Sequence, residues 1–302
     1  MDHLFSIASR DELWSGGVLL ESRAEHGQAR SHGTSIEASD VPDAVLIERA
    51  EARMASMREQ ARELRDARVR LVASARRINN YERDEATMSV TMNGVSVVLS
   101  PGQLPPSPRR RGERVPKAGE GLPIVWHNGS ASVLLHEAAG HAAEHDHEPL
   151  AWPSWLTIHD EPDFEFDDVG APAAVADLTR EAPRAQRRAT FRDVPLPRMT
   201  NLVARQHDAP WPLPDERIDV HYVAGGAYEP LTGFVTLSIA VAEIDGEPLA
   251  PFQIRVPRER IARSILGATG EPLRYPGVVC AREGQELVVG SFAPLMITSE
   301  LL

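Results

Sequence analysis

The sequence predicts an α+β protein whose second half is mainly antiparallel sheet around one prominent helix. Three observations carry this. Between Asp40 and Ile78 apolar residues recur every three or four positions, the period of a helix. After Leu122, short alternating apolar segments are separated by turn pairs such as Asp245-Gly246 and Glu283-Gly284, the pattern of strands joined by hairpins. Between the first of these strands and the rest, Ser132–Asp146 collects three histidines, two glutamates and an aspartate on one apolar, alanine-filled segment.

In chain order, residues 1–40 mix Gly, Ser and His with few runs and read as a short structured start followed by a mobile loop. Asp40 and Pro42 announce a long helix over 43–78, roughly nine turns at 3.6 residues per turn. Its stripe (Leu46, Ala50, Met54, Met57, Ala61, Leu64, Leu71, Ala75, Ile78) faces a core or, being nearly heptad-spaced, a second copy of the chain. Residues 87–100 alternate on both sides of Asn93-Gly94 and predict a hairpin. Residues 101–120, rich in proline and carrying Arg109-Arg110-Arg111, form a linker between an N-terminal region, 1–100, and a domain over 121–302. Pro123–Trp126 is a buried strand, His127–Ser130 a turn, and the histidine-bearing helix ends before Pro149. Residues 151–185 are an acidic, proline-broken loop without the ligand spacing of a calcium loop. Strands follow at Arg217–Val223, Gly233–Glu243 and Leu249–Val256, then a short helix from Pro257 to Gly267. Val278–Cys280 ends a strand, and Glu286–Gly290 and Leu295–Leu302 close the sheet.

Bulk properties exclude several classes. The net charge of −12, from 32 basic and 44 acidic residues, lacks the basic footprint of a nucleic-acid binder. A lone cysteine, Cys280, forms no disulfide within the chain and fits a reducing cytoplasm. The N-terminus has no signal-peptide pattern, and no uncharged apolar run is long enough to span a membrane. There is no G-x-S-x-G for a serine hydrolase and no G-x-G-x-x-G after a strand for a dinucleotide fold.

The histidine segment points to zinc, because a helix can offer two imidazoles to the metal and hold a carboxylate beside bound water. Two registers are available. His136-Glu137 with His141 spans five residues, which on a regular α-helix turns the rings about 140° apart. That pair shares a metal only if the helix is distorted, and Gly140 marks the expected place for a π-bulge or unwinding. His141-Ala142-Ala143-Glu144-His145 has the H-x-x-E-H pattern with four-residue spacing, and local geometry alone favours it. A third donor must come from elsewhere. Cys280 is the candidate for the first register, although a lone cysteine is more often a small buried hydrophobe.

His136-Glu137-Ala138-Ala139-Gly140-His141-Ala142-Ala143-Glu144-His145-Asp146 resembles the H-E-A-x-G-H-x-x-E-x-D signature of the TldD/PmbA family of metalloproteases. Further stretches are similar in the same order: Leu156–Glu161 to L-T-I-x-D-E, and Pro195–Asn201 to P-x-P-R-M-T-N. Gly225-Gly226 through Gly233-Phe234 resembles a glycine run into a strand, and Gly277–Gln285 a cysteine loop, G-x-x-C-x-x-E-G-Q. The resemblance covers residues 121–302, with a reduced N-terminal region before it. It implies a Zn2+ site of His136, His141 and Cys280 with Glu137 as the catalytic carboxylate, and makes the His141/His145 pattern a coincidence. It implies a cytoplasmic peptidase acting on flexible or unfolded peptides, including leader segments of modified peptides, as a homodimer or a heterodimer with a PmbA-like subunit. PmbA-like subunits lack the zinc motif, so this chain reads as the active, TldD-like type. In that frame Glu144, Asp146 and Asp160 orient the histidine rings, and Arg198 and Asn201 touch substrate. The rival expectation is a non-catalytic metal-binding or assembly subunit whose site is closed by a fourth ligand such as His145.

Overall fold

The computed structural model describes residues 3–32, 35–92, 95–99, 112–117, 119–145 and 150–302. Two sheets organise it. The first is six-stranded and antiparallel, in the order β3-β2-β1-β4-β5-β6. Its strands are β1 (His3–Ser15), β2 (Val18–His32), β3 (Ser35–Ser39), β4 (Arg68–Ile78), β5 (Tyr81–Met92) and β6 (Val95–Leu99). Helix α1 (Ala44–Glu63) lies on one face, and the Asp43 carboxylate caps it by accepting from the Val45 and Leu46 N–H groups at 3.1 and 3.2 Å.

This corrects two expectations. In place of a short structured start followed by a mobile loop, residues 3–15, 18–32 and 35–39 are three strands, the first two turned at Gly16-Gly17 with φ of 59° and 76°, the left-handed pair a two-residue hairpin needs. The long helix over 43–78 ends at Glu63, and its last third is strand β4. The apolar stripe continued past Leu64 because Val69, Leu71, Ala73 and Ala75 alternate on a strand face that packs against the helix, the first three with Met54, Met57 and Ala61 and Ala75 with Leu46 and Ala50. The opposite face carries Arg70 and Arg76, which make ion pairs with Asp11 and Asp168. The helix stripe is therefore covered by its own sheet rather than by a second copy. The expected hairpin forms, with Met88 opposite Leu99 and Val90 opposite Val97, and β5 begins earlier, at Tyr81. Its Asn93-Gly94 turn, and most of the expected linker including Arg109-Arg110-Arg111, lie outside the described residues.

The second sheet is ten-stranded and mixed. Its strands are β7 (Ile124–Trp126), β8 (Leu156–Asp160), β9 (Ala176–Asp177), β12 (Asn201–Gln206), β13 (Ile218–Glu229), β14 (Phe234–Ile244), β15 (Glu247–Pro248), β16 (Phe252–Pro257), β17 (Ile265–Arg282) and β18 (Gln285–Thr298). The two short strands β10 (Gln186–Arg187) and β11 (Leu196–Pro197) form a separate ladder. Buried β7 lies centrally, parallel to β13 and antiparallel to β18. Immediately after it come α2 (Asn128–Leu135), a π-helical segment (His136–His141) and the three-residue α3 (Ala142–Glu144). Leu134, Leu135, Ala138 and Ala139 bury this helix against Val220, Ile239, Met199 and Met296 in one core. Each such fully buried aliphatic side chain is worth about 1.5–3 kcal/mol, so the helix is held by packing rather than by propensity. The remaining helix, α4 (Arg258–Ser264), matches the expected one, but β17 starts at once at Ile265. The 18 residues of β17 absorb their length through register shifts, and the hairpin to β18 turns on Glu283 and Gly284, with φ of 50° and 79°.

Candidate metal centre

The six residues from His136 to His141 wind as a π-helix. Its hydrogen bonds reach five residues back, so side chains five apart come roughly one above the other instead of splaying. The two imidazole centroids are consequently 4.7 Å apart at 84°. Gly140 contributes differently from the expectation. Its φ is not in the left-handed region; a Cβ there would lie 2.1 Å from Met199 Sδ. The glycine makes room for the Pro195–Asn201 segment to press on the helix.

Strand β17 presents Cys280, opposite Leu287 of β18. One donor atom each from His136, His141 and Cys280 falls within 4.8 Å of the others. The Cys280 thiol is buried and 3.5 Å from His141 Nε2. Burial works to raise its pKa, but the adjacent His136 and His141 outweigh that and bring it down to about 5. His141 is raised to about 10 by Cys280, Glu144 and Glu137 against the opposing effect of burial. Neither ring nitrogen of buried His136 has a hydrogen-bond partner, and Glu137 Oε2 is likewise buried and unpartnered. Burial raises the Glu137 carboxyl above its ordinary range, against the attraction of both histidines. Its Oε2 is 4.0 Å from His141 Nε2. A set of two imidazoles and a thiolate is a zinc-type donor set, and orphaned buried lone pairs are what a cation relieves. The cluster can hold a metal ion. His145 stands outside it, with its ring 6.3 Å from Tyr228.

The remaining expected residues separate. Glu144 Oε2 is 3.1 Å from His141 Nδ1, and its Oε1 accepts from the Met199 N–H at 2.9 Å, so it orients that ring. Asp160 does not reach a histidine. Its Oδ1 accepts from the Thr200 N–H and hydroxyl and from the Asn201 N–H at 2.7, 2.6 and 3.0 Å, fixing the start of β12. Asp146 lies outside the described residues. Asn201 donates from Nδ2 to the Glu161 carbonyl and borders a cleft of about 800 Å³. That cleft lies between the first sheet and β18 and is lined by none of His136, Glu137, His141 and Cys280. Arg198 is a correction: it is fully buried and bonds Cys280, so it has no face for a substrate.

Two contributors were missed. Arg282 donates to the Pro197 carbonyl at 3.1 Å, tying the cysteine arm to the 195–201 segment. At Gly226 a Cβ would lie 2.4 Å from Glu137 Cγ. Adjacent glycines inside a strand are the sequence signal of such a close approach, and Gly225-Gly226 carried it.

No family profile matches the sequence, and no curated protein does. Solved structures do match. TldE from Thermococcus kodakarensis superposes with a TM-score of 0.57 at 9% identity, over 99% of this chain and 95% of that one. The chain has the TldD/PmbA-family fold. A second member of that fold, TM0727 of Thermotoga maritima, described as a proposed modulator of a DNA gyrase, gives a TM-score of 0.54 at 10% identity over 98% of this chain and 94% of that one. The shared fold spans both sheets, not only residues 121–302 on which the sequence resemblance rests. No helix among the described residues is long and apolar enough to cross a membrane.

Proposed function

We propose that this chain is a zinc-dependent peptidase of the TldD/PmbA type, acting on flexible or unfolded peptides. The observation that carries this is the convergence of His136, His141 and Cys280 around unpartnered lone pairs, with the Glu137 carboxylate beside them. Three protein donors, with His145 apart, match the count that leaves one position open for water. Zinc in this place supplies a Lewis acid that activates water and polarises a peptide carbonyl. Glu137 then accepts the proton of the attacking water at Oε2 and returns it to the leaving amine. Glu144 keeps the His141 ring in register through Nδ1.

An extended substrate has a place to lie. Among the described residues Gly225–Ala227 of β13 pairs with β14 alone, and Ala224–Ala227 is exposed. A peptide adding to this free edge uses main-chain hydrogen bonds with little dependence on side chains, and passes Glu137 at Gly226. The proposal extends to a cytoplasmic protein working as a homodimer or beside a PmbA-like subunit, which the size of the purified chain, alone and mixed with such a subunit, decides.

The deciding experiment digests a mixed peptide library with the purified protein, with and without a chelator, read by mass spectrometry. Cleavage that disappears with chelator and returns with zinc is expected. Stoichiometric zinc without cleavage, alone and with a PmbA-like subunit, would instead identify a non-catalytic metal-binding or assembly subunit.

A further inference from the structure

We infer that Arg198 is a positioning residue that tunes the sulfur of Cys280 for the metal; this rests on the metal site proposed above. Arg198 Nη2 donates to the Cys280 carbonyl at 2.9 Å and to its Sγ at 3.1 Å. Arg198 Nε lies 3.5 Å from Glu144 Oε1. Glu144 Oε2 is 3.1 Å from His141 Nδ1, and His141 Nε2 is 3.5 Å from Cys280 Sγ. The four side chains thus close a ring of contacts.

A bracket for the Cys280 carbonyl alone needs only a neutral donor. Instead the chain buries a whole guanidinium at 0% exposure, with Nε and Nη1 lacking hydrogen-bond partners. Burying an ion costs several kcal/mol unless charged partners offset it, and the partners in reach are the Glu144 carboxylate and the Cys280 sulfur. A sulfur ligand donates more charge to a metal than imidazole does, which weakens the metal as a Lewis acid. A cationic N–H on that sulfur withdraws part of the charge again, and hydrogen bonding around a cysteine sulfur is a known lever on the metal it binds. Arg198 therefore lets a Cys-ligated site keep a strong Lewis acid, while Glu144 limits how hard Arg198 pulls.

The test replaces zinc by cobalt, whose sulfur-to-metal charge-transfer band reads the electron density on Cys280 without any turnover. In Arg198→Gln the sulfur becomes richer and the band moves to longer wavelength. In Glu144→Gln the guanidinium loses its counter-charge and the band moves to shorter wavelength. With zinc, kcat of Arg198→Gln falls on the order of 10-fold to 100-fold with KM little changed. If Arg198→Gln does not fold, the direction of the Glu144→Gln shift decides. A band present in the parent protein but unmoved, or moved the same way in both variants, overturns the role of Arg198. A parent protein without any sulfur-to-cobalt band overturns the metal site itself, a different failure.

Discussion

Two buried charged clusters hold this molecule together, and they are unfinished in different ways. The first joins the N-terminal sheet to the loop before β12. Asp168 accepts from Arg76 at 2.9 Å and Arg83 at 2.7 Å, while Glu85 is 3.1 Å from Arg187 and from Arg76. Its carboxylate oxygens are all engaged, and what it leaves over are N–H donors on Arg83, Arg187 and Arg188. The second is the histidine cluster, and besides N–H donors on Arg198 it leaves over acceptors: the lone pair of the His136 ring and Glu137 Oε2. Guanidiniums carry five donors and rarely use them all, so surplus donors fit a structural clamp. Surplus lone pairs on imidazole and carboxylate have no such excuse and point to a cation. Burial and charge alone do not separate a clamp from a site; acceptors left unmet do.

The largest effects should divide along this line. His136→Ala should abolish zinc binding and hydrolysis together while the chain stays folded. Asp168→Asn should keep zinc at full stoichiometry but cost about 3–5 kcal/mol of stability, because buried arginines lose their partner. Metal analysis and urea unfolding of both variants check this, and zinc loss in Asp168→Asn would dissolve the distinction. Within the second cluster, Glu137→Gln should retain zinc and lower kcat on the order of 10² to 10⁴-fold, the usual worth of a general base. Full activity in that variant would remove Glu137 from the chemistry.

Much of the second region was legible in the sequence, and less of the first. The histidine segment, the cysteine loop and the Asp245-Gly246 and Glu283-Gly284 hairpins carry local signals, since each needs particular residue types at fixed spacing. For His136 and His141 to share a metal, the five-residue spacing required a distorted helix, and the segment is a π-helix. Strand β4 was hidden because its core face and its arginine face together imitate an amphipathic helix, and no Gly or Pro between Leu64 and Arg68 marks the break. The β1–β2 hairpin did have a signal, Gly16-Gly17, that was passed over. The contact of Arg198 with Cys280 was not readable at all: a side chain that meets a partner 82 residues away leaves no trace in local pattern.

The two regions should also answer pH with opposite sign. Burial raises Glu85, but Arg76, Arg83 and Arg187 outweigh it and hold the carboxyl far below its ordinary 4.5. Its stabilisation is present above that ordinary value and lost as pH falls. Asp160, fully buried beside the second cluster, is raised by burial from 3.8 to about 6, against its hydrogen bonds from Thr200 and Asn201. Its contribution is complete below 3.8 and lost as pH rises through about 6. Urea unfolding between pH 4 and 8 should therefore show the stability of the parent protein relative to Asp160→Asn falling by about 2 kcal/mol as pH rises. Relative to Glu85→Gln it should grow over the acid part of the range. Parallel slopes for the two variants would contradict the contrast.

The smallest effect tests how the helix of the second region is distorted. If the π-segment needed glycine for its backbone, Gly140→Ala would straighten the helix, separate His136 from His141 and abolish zinc binding. The structure predicts otherwise, because Gly140 has an ordinary backbone and the obstacle to a Cβ is Met199 Sδ at 2.1 Å. Gly140→Ala should then cost about 1–3 kcal/mol by overpacking, with zinc retained. Met199→Ala alone leaves a cavity and costs about 2–5 kcal/mol. Together, the alanine methyl takes up part of the space Met199 vacates, so the double variant should be less destabilised than the sum by about 0.5–3 kcal/mol, the range of coupling between touching residues. Because the Met199 N–H is bonded to Glu144, the same cycle read by zinc affinity measures how far pressure on this contact is carried to the His141 ring. Additive stabilities would mean that the two residues do not share the space, and loss of zinc in Gly140→Ala would return the glycine to a backbone role.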